Sequence, residues 1–480
     1  MTSPKPTAPL AVGFDLDMTL IDTVPGFGPT LAALGRELEV DFDIEAMTSR
    51  LGPPLDVMLD GHVDQAQIPE AVDRFRELYV DHAIAPVPAL PGAEQAIAAV
   101  RAHGGRVVIV TGKYTPNAQR HLDHLEIDHD HLAGEVYSTG KSAALRAEGC
   151  SIYVGDHVHD VEGALAAGAL SVSVLTGGCT EAELRDAGTH VVLEDLGAFP
   201  AWLDEHVLAT RVEALMADLT GRGSVLVAYS GGADSALLLA AAVRALGPEN
   251  VVAATGYSHS LPLAERDPAR DFAGSLGVRI ETPQTNEIDR EGYRANGADR
   301  CFFCKSELIE VLAPLATELG IAHVATGTNA DDVVAGFRPG IRAAAERGAI
   351  TPLADAGLTK AQVREQSRRW DLPTWDKPAA ACLSSRIKYG VEVTPFRLAR
   401  VERAESAVRG VAAERGVPLV NLRVRDLGDQ ARIELDADLL PLDSSLQRAL
   451  VAAVTEAGFD EAQVDAKGFR SGSMNEGLTR

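Results

Sequence analysis

The chain has 480 residues, 46% of them hydrophobic, which exceeds one ordinary domain and supports large cores rather than a disordered chain. Its formal net charge of −25 argues against a broad nucleic-acid footprint, because phosphate backbones are held by clustered Lys and Arg. No segment approaches the ~18 uninterrupted apolar residues of a membrane span, the N-terminus lacks an apolar signal core, and five cysteines are too few and too odd for a disulfide framework, so a cytoplasmic protein with free thiols is expected.

Residues 9–17, PLAVGFDLD, predict a short apolar strand ending in Asp15 and Asp17, which project to one side as the chain leaves the sheet. RVVIVTGK (106–113) predicts a second buried strand, ending in Thr111. SIYVGDHVHD (151–160) predicts a third, ending in Asp156, with Asp160 one helical turn later. Apolar runs alternating with helical stretches predict an α/β fold with a doubly wound parallel sheet, whose active site lies beyond the carboxyl ends of the strands. Carboxylates gathered there repel one another unless a divalent cation neutralises them, and hard oxygen ligands suit Mg²⁺. A single acid after a strand is ordinarily a loop residue; the ordered set carries more weight.

Asp-x-Asp-x-Thr, a strand ending in Thr, a Lys and then Gly-Asp-x-x-x-Asp together resemble the haloacid dehalogenase-like hydrolases over residues 9–200. The resemblance implies that Asp15 is the nucleophile that takes up a phosphoryl group and Asp17 the general acid/base. Thr111 would donate to the phosphoryl oxygens and Lys141 balance the charge. Mg²⁺ would lie among Asp15, Asp17, Asp156 and Asp160. The acid at Asp17 implies a phosphatase, and the helical stretch over about 22–90 resembles the family's cap. Lys141 is followed by Ser142 where the family often has Pro, and Lys113 competes for the lysine's role.

FPAWLDEHVLATRVEALMADLTGRG (199–223) bridges to a second half. The expected domains are 1–205, 206–395 and a small α+β domain over 396–480. SVLVAYSGGADSALLLAAAVRALG (224–247) reads as strand, Ser/Gly loop and helix. Ser230, Gly231 and Gly232 allow close approach of a ligand, and Asp234 and Ser235 open a helix whose free N–H groups favour an anion. This loop lacks the Gly-Lys-Ser/Thr ending of a Walker loop and resembles the PP-loop ATP pyrophosphatases, which adenylate a substrate. VVAATGY (251–257), VRIETP (278–283) and AHVATGT (322–328) predict further strands of a second doubly wound sheet. Asp331, in GTNADD after the last of them, is a candidate for a second magnesium or a nucleotide contact.

RCFFCK (300–305) places Cys301 and Cys304 three apart, and KPAAACLSSRIKYG (377–390) places Cys382 beside Arg386 and Lys388, cations that favour a thiolate. These stretches, with GTNADDVVAGFRPGIRAA and GFRSGSMNEG, resemble the LarE family of ATP-dependent sulfur transferases. The resemblance implies adenylation of a carboxylate of pyridinium-3,5-biscarboxylic acid mononucleotide and displacement of AMP by sulfur, in the route to the nickel-pincer nucleotide. It implies ATP and Mg²⁺ as cofactors, a small nucleotide as substrate and a homo-oligomer. VNLRVRDLGDQARIEL (420–435) predicts a hairpin on which Arg423 and Arg425 share one face, a fork for a substrate phosphate, and Glu405 matches a family acid near it. Three readings of the cysteines stand. Cys301, Cys304 and Cys382 can hold a 4Fe–4S cluster with one iron open, Cys382 can sacrifice its own sulfur, or the thiols can bind zinc. The rival function is another PP-loop enzyme, an ammonia-using NAD synthetase or a tRNA thiolase, with the hydrolase half as a binding module.

Overall fold

A computed structural model describes residues 10–48, 51, 54–335, 339–378 and 382–470. Most of the GFRSGSMNEG stretch and parts of the GTNADDVVAGFRPGIRAA and KPAAACLSSRIKYG stretches lie outside the described residues. The described residues form two compact units, one running to Val207 and the other beginning at Leu208.

The first unit is built on six parallel strands: β1 (Ala11–Phe14), β2 (Arg106–Val110), β3 (His131–Ala133), β4 (Ile152–Gly155), β5 (Leu170–Val174) and β6 (Val191–Leu193). Their order is β3-β2-β1-β4-β5-β6, so the winding reverses between β1 and β4. That switch point opens a crevice at the carboxyl ends of both strands. Strands β1 and β4 are buried on both faces, as their unbroken apolar runs require. Core residues such as Val12, Phe14 and Ile109 pack on one side and Val108, Leu145 and Tyr153 on the other. After β1 the chain leaves through Leu20–Asp22 and returns through Pro88–Leu90, where Asp22 N–H donates to Pro88 and Leu90 N–H to Leu20. Between these points four helices, Val24–Leu38, Ile44–Thr48, Leu55–Leu59 and Ile68–His82, enclose their own apolar cluster around Phe27, Leu34, Phe75 and Tyr79.

The second unit carries β7 (Val225–Ala228), β8 (Val251–Ala254), β9 (Arg279–Glu281) and β10 (His323–Thr326), all parallel, in the order β10-β7-β8-β9. Here the reversal lies between β7 and β10. A third sheet joins β11 (Leu422–Asp426) antiparallel to β12 (Gln430–Leu435), and β12 parallel to β13 (Glu461–Val464). Its core takes in Tyr293, Leu383 and Ile387 beside Val401, Val424 and Ile433, so residues before and after 396 share one apolar interior. Among the described residues no helix is long and apolar enough to cross a membrane.

Candidate functional site

The first crevice gathers acids from three positions. Asp15 follows β1, Asp156 follows β4, and Asp160 stands in the first turn of helix Val158–Ala167, with carboxylate oxygens within 4.8 Å of one another. Local chemistry fixes each. Asp15 N–H extends the β1–β4 register by donating to Val154 (2.8 Å), and Thr19 Oγ1 donates to Asp156 (3.0 Å). Asp160 accepts from the His157 backbone (3.1 Å) in a capping box. Glycine is needed at 177 and 155, where a Cβ would run into the Asp156 and Asp160 carboxylates. Lys141 Nζ, buried, donates to Asp160 (2.6 Å) and to Tyr153 Oη (3.0 Å) and stands 3.2 Å from Asp15 Oδ1.

Burial pushes the Asp15 carboxyl up to about 7 against the pull of Lys141, with repulsion from Asp160 and Asp17 adding to it. Asp156 is raised well above its ordinary value, again first by burial and then by Asp160 and Asp15. Asp15 Oδ1 is buried without an aligned hydrogen-bond donor. Three crowded buried carboxylates fit a hard divalent cation such as Mg²⁺. Asp17 is not brought into this trio. Its carboxylate accepts from Lys113 Nζ (2.7 Å) and from Thr23 Oγ1. Burial alone would raise Asp17, but the Lys113 charge and these hydrogen bonds outweigh it and hold the carboxyl below its usual value. The two lysines therefore have separate partners: Lys141 serves the trio and Lys113 serves Asp17. Lys113 also donates to Tyr79 Oη (2.7 Å) on the cap helix Ile68–His82, and Tyr79 in turn meets His121 Nε2 (3.1 Å). Thr111 is buried at the end of β2 and lines the same cavity, which measures about 820 Å³.

In the second unit the loop after β7 closes on itself: Ser235 Oγ donates to the Gly232 carbonyl (3.1 Å) and lies 3.1 Å from Ser230 Oγ. Gly231 has φ of +73°, a left-handed conformation that favours glycine. Asp234, one residue into helix Ala233–Leu246, accepts from Lys360 Nζ and from Asn329 Nδ2 (3.1 Å). Lys377 Nζ donates to the Gly231 carbonyl (2.9 Å) and to Glu265 (2.6 Å). Asp331 is exposed and accepts from Lys360 N–H (2.8 Å), whereas its neighbour Asp332 lines the cavity.

That cavity, about 330 Å³, is walled by Ser230, Gly232, Asp234 and Ser235 together with Cys304 and Cys382. Cys301 and Cys304 lie one turn apart on helix Arg300–Glu318, Cys301 exposed and Cys304 half-buried. Burial raises the Cys304 thiol well above its ordinary value, and the neighbouring Cys382, Glu287 and Cys301 add to it. Two cations face these thiols: Arg300, on which Cys382 and Cys301 both act, and Lys305, on which Cys304 acts. Arg386 instead pairs with Glu405 (3.0 Å) and donates to the Cys382 carbonyl (3.0 Å). Arg425 is buried in an ion pair with Glu434 (2.8 Å) and reaches the Ser385 carbonyl (3.2 Å). Arg423 is pushed down to about 10 by burial and then by Arg386, and lies over the Phe469 ring. Arg386, Glu405, Arg423 and Arg425 thus form one cluster behind the Cys382–Arg386 turn, and none of the four is in the cavity wall.

Residues 12–165 match the family model of the haloacid dehalogenase-like hydrolases, and residues 140–199 match that of HAD-hydrolase-like proteins. The chain is 41% identical over 277 residues to an uncharacterized protein of Synechocystis sp., covering 57% of this chain and all of that one. It is 34% identical over 277 residues to a pyridinium-3,5-bisthiocarboxylic acid mononucleotide synthase of Lactiplantibacillus plantarum, covering 57% of this chain and 96% of the synthase. The chain belongs to that synthase's family, the LarE family. The chain is 24% identical over 208 residues to a phosphoglycolate phosphatase of Caulobacter vibrioides, covering 38% of this chain and 85% of the phosphatase.

Several residues of this LarE-family chain escaped sequence reasoning. Lys360 and Asn329 reach Asp234 from 126 and 95 residues away, and Lys377 reaches the loop from 146. No local spacing announces such contacts. Arg300 was visible beside the Cys-x-x-Cys pair, but only the fold turns it toward the thiols.

Proposed function

We propose that the chain carries two enzymes, an ATP-dependent sulfur transferase acting on a carboxylate of pyridinium-3,5-biscarboxylic acid mononucleotide and a Mg²⁺-dependent phosphatase. The observation that carries the first is the single cavity walled by the Ser230–Ser235 loop, Cys304 and Cys382. The ATP phosphates lie on the loop N–H groups at the start of helix Ala233–Leu246. Lys360 and Lys377, held on the loop by Asp234 and Glu265, take over the charge that ATP brings. A substrate carboxylate oxygen attacks the α-phosphorus, and pyrophosphate leaves with the electron pair of the broken P–O bond. A sulfur nucleophile then attacks the acyl carbon, AMP leaves with the C–O pair, and a thiocarboxylate remains. The substrate is a small nucleotide, with no nucleic-acid or membrane partner, and the working form is a homo-oligomer.

Cys301, Cys304 and Cys382 would hold a 4Fe–4S cluster, which when bound offers an open iron for the sulfur to be transferred. The donor set fits. The thiols act on one another, with Arg300 and Lys305 as nearby cations, which supports a shared thiolate site. Sacrifice of Cys382 is the second reading, favoured by its place in the cavity wall. Protein prepared without oxygen should be brown, hold about four irons per chain and lose them on Cys301→Ala. Turnover with the biscarboxylated nucleotide, ATP and Mg²⁺ should give AMP, pyrophosphate and thiocarboxylate by mass spectrometry. A colourless protein that gains dehydroalanine at position 382 would sink the cluster and support sacrifice; ADP in place of AMP would sink the adenylation.

The phosphatase rests on the trio of buried acids. Asp15 attacks the phosphorus, the ester oxygen leaves, and water releases phosphate from the aspartyl intermediate, with Asp17 carrying the protons. Mg²⁺ held by Asp15, Asp156 and Asp160 would neutralise the phosphoryl charge. Release of phosphate from small phosphomonoesters, abolished by EDTA, tests it.

A further inference from the structure

The cavity over the acid trio is far larger than a phosphoryl group needs; at about 820 Å³ it has the size of an organic ligand site. Two features of its wall bear on what else it holds. The first is a bank of flat rings. Tyr137 lies 4.7 Å from His159, and His159 lies 4.7 Å from His157, all three lining the cavity beside Asp156 and Asp160. Tyr114, also in the lining, already carries a planar cation, with the Arg76 guanidinium 4.4 Å from its ring centre.

The second feature is charge. The lining cations are all answered within the protein: Lys113 by Asp17, Lys141 by Asp15 and Asp160, and Arg76 by Asp73 (3.2 Å). The cap adds the exposed acids Asp56 and Asp60 to the same wall. A substrate with a second carboxylate therefore meets no uncommitted cation among the described lining residues. A flat cation meets a wall of aromatic rings and the carboxylates of Asp56 and Asp60.

We infer that this site selects phosphomonoesters whose alcohol part ends in a flat ring, a cationic ring ahead of a neutral one. The inference rests on the phosphatase reading above. With the full chain and Mg²⁺, kcat/KM is measured for nicotinamide mononucleotide (cationic ring), AMP (neutral ring) and 2-phosphoglycolate (no ring, a second carboxylate). Nicotinamide mononucleotide should lead, then AMP, with the first ahead of phosphoglycolate by at least about tenfold, the scale of one cation–π contact in a partly dry site. Tyr137→Ala should shrink that ratio through KM, and Tyr137→Phe, which keeps the ring, should preserve it. Phosphoglycolate turned over as well as or better than the nucleotides, or a ratio indifferent to Tyr137→Ala, overturns the inference and leaves the phosphatase standing. If none of the three is hydrolysed, nor any other small phosphomonoester, the phosphatase reading falls and takes the inference with it.

Discussion

Asp15 shows how one residue ties charge to stability. Its carboxyl rises from 3.8 to about 7 because burial disfavours the ion, even with Lys141 beside it. Between those two values the folded state binds more protons than the unfolded one. The metal-free first unit should therefore lose stability as pH rises through that window, rather than gain it. In EDTA, Tm should fall by several degrees between pH 5 and pH 7.5; Mg²⁺ should restore it more at the higher pH, where the acids are ionised. A Tm that climbs with pH in EDTA would contradict the burial argument. Asp15→Asn keeps the shape but removes the nucleophile and the buried charge. Phosphatase turnover should drop by orders of magnitude while metal-free stability at neutral pH holds or improves, read by phosphate release and thermal melts. Asp234 is the counterpart in the second unit. Asp234→Ala leaves Lys360 without its carboxylate and should abolish AMP formation, measured by chromatography of ATP products.

At the scale of elements, the sheets place chemistry where their winding reverses, and helices bring the rest. The cap helix Ile68–His82 reaches the core through Tyr79, whose hydroxyl lies between Lys113 and His121. His121 is fully buried, and burial brings its pKa down to about 4, so at neutral pH its imidazole is uncharged and shares the hydroxyl with the Lys113 ammonium. Tyr79→Phe leaves two buried polar groups short of a partner. It should cost about 1–3 kcal/mol in urea unfolding followed on the full chain, and should slow phosphate release because Lys113 also positions Asp17. A silent mutation would mean that the cap is not held through this hydroxyl. In the second unit helix Arg300–Glu318 sets Cys301 and Cys304 on one face, as residues three apart on a helix must be.

Over the whole molecule, the two cavities are built from residues of different units, the first lined from Ala8–Val207 alone and the second from residues beyond 207. In the intact protein Asp15→Asn should therefore leave AMP formation unchanged within about twofold and Asp234→Ala should do the same for phosphate release, since sites that share no residues or partners do not couple. A loss of both activities in either variant would show that the halves depend on one another. The strands that carry the chemistry are legible in local sequence: unbroken apolar runs ending in Asp15, Thr111 and Asp156, and the Ser-Gly-Gly turn before a helix, are local patterns of strand, loop and cap. Strands β3, β5, β6 and β13 were not singled out, being short, polar-edged or without a motif at their ends. That Lys141 meets Asp160 and Lys113 meets Asp17, that Asp332 lines the cavity while Asp331 accepts from the Lys360 N–H, and that Lys360 reaches Asp234 come only from tertiary structure. Each depends on where a side chain ends after long-range packing, and a charged group buried there takes the nearest opposite charge in space, which spacing along the chain does not encode.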